Sequence, residues 1–338
     1  MGFLNTYKLR VFFAVLILSC LTFTACTKKD NSKTVWIYTS IYKNVIAEFD
    51  PLLKAKFPDV KFEWFQSGSE NVAARLNAEL SAGRPQADLI LTSDPLWYME
   101  LKKAGKLLAY ESPAAGRVPK QFKDPNHAFV IVRMPVAVIG APSDSAATNP
   151  KSWKELTDPK WKGKVSMGSP LESGTSMLLT AQLLNKYQWE YFTKMRSNEL
   201  LAAGGNSAVV SRMETKERPI GMLLLENILE AKKKNSPIDP VYPTDGVILV
   251  PSPMAILKDT SKPELAKQIY DYFLSDEIQK AILRGRMYSP IPGVGEPEGA
   301  KPFQEVLAGA FEWSPELLEK LYEQRETIKK KFNDTVLH

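Results

Sequence analysis

Glu172-Ser173-Gly174-Thr175-Ser176 is the stretch of this 338-residue chain best suited to hold a small molecule. It follows an apolar run at 164–167 that reads as a strand, and it opens a helical pattern continuing to Leu184. A helix start presents free N–H groups and the positive end of the helix dipole, which favour an anion. Ser173, Thr175 and Ser176 add hydroxyl donors, and Gly174 lets backbone approach closely. Ser and Thr are also the preferred N-caps, so spacing alone leaves an anion cradle and an ordinary cap equally open. Three further loops are small and hydroxyl-rich: Thr39, Ser40 and Tyr42; Ser67, Gly68 and Ser69; Thr92, Ser93 and Asp94. Each follows a strand pattern, and ligands of open α/β sheets bind beyond the carboxyl ends of strands. Arg133 lies in an apolar run where a charge is costly unless paired. Its fork suits a phosphate or carboxylate; pairing with an internal Asp is the other reading.

Catalytic chemistry is poorly provided for. His127 and His338 are the only histidines, and neither sits near the Ser173–Ser176 stretch in sequence. A secreted phosphate-ester hydrolase using one of those serines would lack a base. There is no GxSxG, no paired-carboxylate arrangement and no metal-ligand cluster. Two cysteines, Cys20 and Cys26, exclude a disulfide scaffold and a Cys zinc site. The net charge of +6 is mild and dispersed, without basic clusters interleaved with aromatics, so no nucleic acid is expected. Trp36, Trp64, Trp97, Trp153, Trp161 and Trp189 read as packing residues rather than a stacking platform.

The elements that must position these loops alternate. Apolar runs at 35–38, 60–65 and 87–91 read as strands, and periodic segments at 42–57, 70–82 and 96–104 as helices, a βαβαβ order that implies a parallel sheet. The run 128–140, broken by Pro135, is too long for one strand and reads as a crossing between two domains. Residues 247–257 form a second crossing. Two crossings predict a first lobe made of 34–132 and 250–338, with 133–249 inserted as the second. Residues 220–225 read as a buried strand, and 263–283 and 315–332 as amphipathic helices.

The N-terminus reads as an address. Lys8 and Arg10 precede an apolar run from Val11 to Phe23, too short to span a bilayer, and Thr24-Ala25-Cys26 follows. This predicts a signal peptide at 1–26 with a lipobox, lipidation of Cys26 and a polar tether at 27–33; Cys20 is the competing cleavage site. The folded part is then expected in the periplasm or at the cell exterior, anchored by lipid.

The lipobox, Ala87-Asp-Leu-Ile-Leu-Thr-Ser-Asp94, the stretch from Ser152-Trp153 to Lys162-Gly163, Ser173-Gly-Thr175 and Tyr242-Pro-Thr-Asp-Gly246 come in a characteristic order. In this the chain resembles the type II periplasmic solute-binding proteins of ABC importers, within the branch of ferric-ion and phosphorylated- or phosphonate-compound binders. The resemblance covers about residues 34–330, and 152–163 is its most specific part. It implies an α/β fold of two lobes, each a mixed, mostly parallel sheet flanked by helices, with two hinge strands and a ligand trapped between the lobes. It further implies an ABC permease as partner, a monomer, and no cofactor. Asn206 and Ser207 match an anion-contacting position there. Asp245 is placed near the hinge, although Asp-Gly is most often a turn. The iron binders carry a Tyr pair where this chain reads Glu226-Asn227-Ile228, their early His aligns with Tyr42, and their Glu aligns near Ser93. The resemblance therefore implies a phosphorylated or phosphonate solute, with ferric ion as the alternative. Glu226 would face the ligand's other end, or serve only as a first-turn residue favoured by the dipole.

Overall fold

The computed structural model describes residues 33–337; Cys20, Cys26 and the lipobox lie outside the described residues. β1 (Thr34–Thr39), α1 (Lys43–Lys56), β2 (Lys61–Gln66), α2 (Ser69–Ser81), β3 (Leu89–Leu91) and α3 (Pro95–Lys103) follow one another. β1 pairs in parallel with both β2 and β3. That puts the loops after all three strands on one edge, as βαβ connections require.

The apolar run at 128–140 divides at Pro135, whose ring supplies no N–H for a ladder. Its halves are β4 (Val130–Arg133) and β5 (Val136–Pro142), and they belong to different sheets. The return passage does the same: β10 (Ile248–Leu249) and β11 (Ser252–Ile256) flank Pro251. The two passages touch, because Val250 N donates to Pro135 O at 2.9 Å. The first sheet has the order β2-β1-β3-β11-β4, with β11 antiparallel to β3 and β4.

The second sheet adds β6 (Val165–Met167), β7 (Leu201–Ala202), β8 (Ile220–Leu224) and β9 (Ile238–Val241). Its order is β10-β5-β8-β6-β7, with β9 also on β5; β6 is parallel to β7 and β8. Helices α4 (Gly174–Ser197), α5 (Asn206–Glu214) and α6 (Leu225–Lys233) belong to this half. Buried Val165, Met167, Met222 and Leu224 pack against Leu178 and Leu179 of α4.

Two sequence expectations need correction. The segment 263–283 is not one helix but two, α7 (Pro263–Phe273) and α8 (Asp276–Arg284), because Ser275 caps the second by accepting from Ile278 N. The helix from Ser173 does not end at Leu184; it runs on to Ser197 through a kink at Gln188, whose φ is 61°. After α9 (Phe303–Ala308), α10 (Pro315–Phe332) packs on α3 and α4 together. Lys103 pairs with Glu319 on one side, and Phe332 meets Phe192 edge-on at 5.2 Å on the other. Trp97 and Trp153 are fully buried, and Trp36, Trp64 and Trp189 pack on the core.

Candidate functional site

The loops at the ends of β1, β2 and β3 face those at the ends of β6, β7 and β8 across a cavity of about 550 Å³. Five helices begin at its wall. Their N-caps, Tyr42 of α1, Gly68 of α2, Ser173 of α4, Gly205 of α5 and Leu224 of α6, all line it. Gly68 and Gly205 have no side chain with which to cap, so their helices keep first-turn N–H groups for a ligand. Five dipole ends converge on one space and favour an anion at the points where they open, although Glu70, Glu172 and Glu226 also line the cavity.

Arg133 adds a full charge. It closes β4 and is 3 % exposed, yet its guanidinium lines the cavity. Nη2 donates to Ser93 Oγ at 2.5 Å, Nη1 donates to Met287 Sδ at 2.8 Å, and Nε has no partner. Among the described residues no carboxylate pairs with it, so the internal-Asp reading does not hold. Burial pushes its pKa down, against the opposing pull of Glu226. Glu226, in the first turn of α6, lines the same cavity at 5 % exposure. Burial pushes its carboxyl up to about 7, with Arg133 pulling the other way.

The remaining donors are poised around this pair. Asn206 and Thr175 are buried cavity residues whose side chains have no hydrogen-bond partner among the described residues. Ser40 Oγ accepts from Ser93 N at 3.1 Å, and Ser67 Oγ accepts from Asn71 Nδ2 at 3.2 Å. Asn227 Nδ2 donates to the Tyr42 hydroxyl oxygen at 3.1 Å, joining α6 to the start of α1 across the cleft. Burial pushes the Tyr42 phenol up, so it stays protonated.

The cavity thus gathers Ser40, Tyr42, Ser67, Gly68, Ser69, Ser93, Arg133, Ser173, Thr175, Asn206, Ser207 and Glu226 of the sequence-predicted residues. Six others do not line it. Thr39 Oγ1 is spent inside the sheet, donating to Leu91 O at 2.7 Å and accepting from Ile41 N. Thr92 is fully buried behind the loop, its N–H donating to the Tyr98 hydroxyl. Asp94 caps α3 and accepts from Arg325 Nη2 at 3.0 Å, which neutralises it. Ser176 turns toward Gly168 within its own lobe. Asp245 accepts from Trp153 N, Lys154 N and the Tyr187 hydroxyl, stapling the 150s loop to α4. Gly174 is a point of contact between the two walls: a Cβ there would lie 2.4 Å from Asp94 Cβ and 3.0 Å from Ser69 Cβ.

Glu172, the first residue of the predicted 172–176 stretch, lines the cavity too. Gln66, Glu70, Gly205, Gly285 and Met287 also line it and were missed. Gly205 adjoins a predicted stretch. Gly285 and Met287 arrive from the distant end of α8, and no local pattern marks them.

Residues 84–307 match the family model described as bacterial extracellular solute-binding protein. The chain belongs to that family. A Salmonella typhi protein provisionally named a 2-aminoethylphosphonate-binding periplasmic protein is 22% identical over 282 residues, covering 79% of this solute-binding protein and 80% of its own length. The periplasmic binding protein AfuA from Actinobacillus pleuropneumoniae, with exogenous fructose-6-phosphate bound, superposes with a TM-score of 0.80 at 22% identity, covering 90% of this chain and 99% of that one. Iron-bound HitA from Pseudomonas aeruginosa gives 0.77 at 20% identity, covering 88% and 98%. The fold is accordingly that of the two-lobed type II periplasmic binding proteins, with the cavity between the lobes.

Proposed function

We propose that this solute-binding protein captures a small solute bearing a phosphoryl or phosphonyl group and passes it to an ABC permease in the inner membrane. The observation that carries the reading is Arg133: a buried guanidinium without a carboxylate partner among the described residues, facing a cavity where five helices begin. An isolated buried charge is costly, and an anionic ligand removes that cost. A tetrahedral anion suits the donors around it: the Arg133 fork, the Thr175 hydroxyl, the Asn206 amide and free helix N–H groups. Glu226 then faces the solute's other end, where it accepts from hydroxyls or pairs with an ammonium. The names of the Salmonella relative and of the sugar-phosphate-bound AfuA structure support the same ligand class.

The iron-bound HitA neighbour is the argument for ferric ion. A hard cation needs anionic oxygen ligands. Three carboxylates line the cavity, but Glu70 is taken by Arg325 and Lys329, burial pushes Glu226 up, and among the described residues no three acidic groups cluster as a metal site. The phenol of Tyr42 is held protonated and bonded to Asn227, and Arg133 repels a cation, which together favour the anion. A hydrolase has less to recommend it: relatives of this family are binding proteins, and among the described residues no histidine lines the cavity to act as base. The mature protein is a monomer in this reading, lipid-anchored through Cys26.

A thermal-shift screen with sugar phosphates, alkyl phosphonates, orthophosphate and Fe³⁺ tests it. A ligand at 100 times its Kd adds about 2.7 kcal/mol, several degrees of melting temperature. Stabilisation by Fe³⁺ alone overturns the anion reading.

A further inference from the structure

The cleft does not end at the cavity described above. A second compartment of about 450 Å³ lies beyond it, reaching toward Glu214, Glu230 and Lys234. Tyr42, Val45, Ser207, Glu226 and Gly285 line both spaces and so form the partition between them. The hydrogen bond from Asn227 to the Tyr42 hydroxyl crosses this partition from one lobe to the other. We propose that Tyr42 sets the length of the solute: its phenol is the end wall of the binding cavity, and a solute too long to stop there is refused. This rests on the anion reading, since the anion end fixes the point from which length is measured.

The wall is well supported. Tyr42 is the N-cap of α1, and its carbonyl accepts from Val45 N and Ile46 N, each at 3.0 Å. Val45 is itself held from behind, because a Cβ at Gly285 would lie only 2.8 Å from Val45 Cγ1. The ring therefore stands on a helix terminus with little freedom to swing. Val45, Ser207 and Gly285 are small, and Glu226 is the only other long side chain of the partition among the described residues, so the phenol is its one aromatic ring and its bulkiest member.

Titration calorimetry on the full-length protein with glycerol phosphate as the short ester and maltose phosphate as the long one decides the matter. Wild type should bind the short ester and discriminate against the long one. Tyr42→Phe keeps the ring and loses the hydroxyl. Both affinities should fall roughly 2- to 10-fold, the worth of one neutral hydrogen bond, with their ratio unchanged. Tyr42→Ala merges the compartments, and the long-to-short affinity ratio should rise by about tenfold or more. The inference is overturned if a folded Tyr42→Ala variant keeps the wild-type ratio, or if wild type binds both esters equally. If wild type binds the short ester while Tyr42→Ala changes nothing, only the length reading fails. If wild type binds no phosphate ester, the anion reading fails and takes this inference with it.

Discussion

Replacing Arg133 by Met should move affinity and stability in opposite directions. Met fills much of the same volume and removes the charge. In the unliganded protein the guanidinium has, among the described residues, a hydroxyl and a thioether as its only hydrogen-bonding partners, Ser93 at 2.5 Å and Met287 at 2.8 Å. These are weak compensation for a side chain 3 % exposed. Exchange of such buried ionic groups for apolar ones is commonly neutral or stabilising, here by about 1–3 kcal/mol. In the bound state the same guanidinium makes charge-assisted bonds to the anion, each worth about 1.5–3 kcal/mol. After subtraction of the contacts it gives up, the loss of binding is about 2–4 kcal/mol, roughly 30- to 1,000-fold in Kd. Calorimetric titration with the strongest ester from the screen reads the first quantity, and urea unfolding of the unliganded protein reads the second. Glu226 must be controlled, since Arg133 holds its carboxyl down and the variant will raise it further above about 7. At about pH 6 that carboxyl stays largely protonated in the folded state of both proteins, so the comparison is clean. A variant destabilised by more than about 2 kcal/mol with unchanged affinity would make Arg133 a strut of the fold and sink the reasoning.

Gly174→Ala places a methyl 2.4 Å from Asp94 Cβ, on a side chain fixed by Arg325 and by its cap of α3, so the lobes should no longer meet. Affinity is expected to drop at least roughly tenfold, and small-angle scattering with saturating ester should show a larger radius of gyration than wild type; equal radii count against it. Glu226 is raised in the fold from its ordinary 4.5 to about 7, so its stabilising contribution is complete below about pH 4.5 and is lost as pH rises through 7. Stability of wild type should fall by about 3 kcal/mol over that window from this group, and Glu226→Gln should flatten the slope; an unchanged slope in urea titrations refutes it. The mature protein extracted from membranes should carry a diacylglyceryl-modified Cys26 by mass spectrometry, and an unmodified N-terminus elsewhere would exclude the anchor.

Alternation of apolar runs and helical periods was enough to read the first lobe, because β1, β2 and β3 are continuous segments joined by helices of ordinary length. The passages between the sheets were legible for a chemical reason: Pro135 cannot continue a ladder, and the run around it is too long for one strand. Helix α5 and the short strands β7 and β9 carry weak local patterns and went unread. In the site, the rule that ligands sit beyond strand ends found the right loops but not which side chain in each loop turns inward. Thr39 and Thr92 are next to lining residues and point into the sheet, a difference of one residue in an irregular segment. Asp94 was unreadable for another reason: its partner Arg325 is 231 residues away and no local pattern connects them.

That same pair makes α10 a clasp between the two halves. Glu70 and Asp94 stand at the base of the cleft, and both obtain their counter-charge from Arg325 on the last helix. Phe332 of the same helix is buried against Phe192 of the other half. Without that helix two carboxylates lack their cation on one side and Phe192 loses its aromatic neighbour on the other. The helix is thus a keystone: one face neutralises the acidic groups of the first half while another completes the apolar packing of the second.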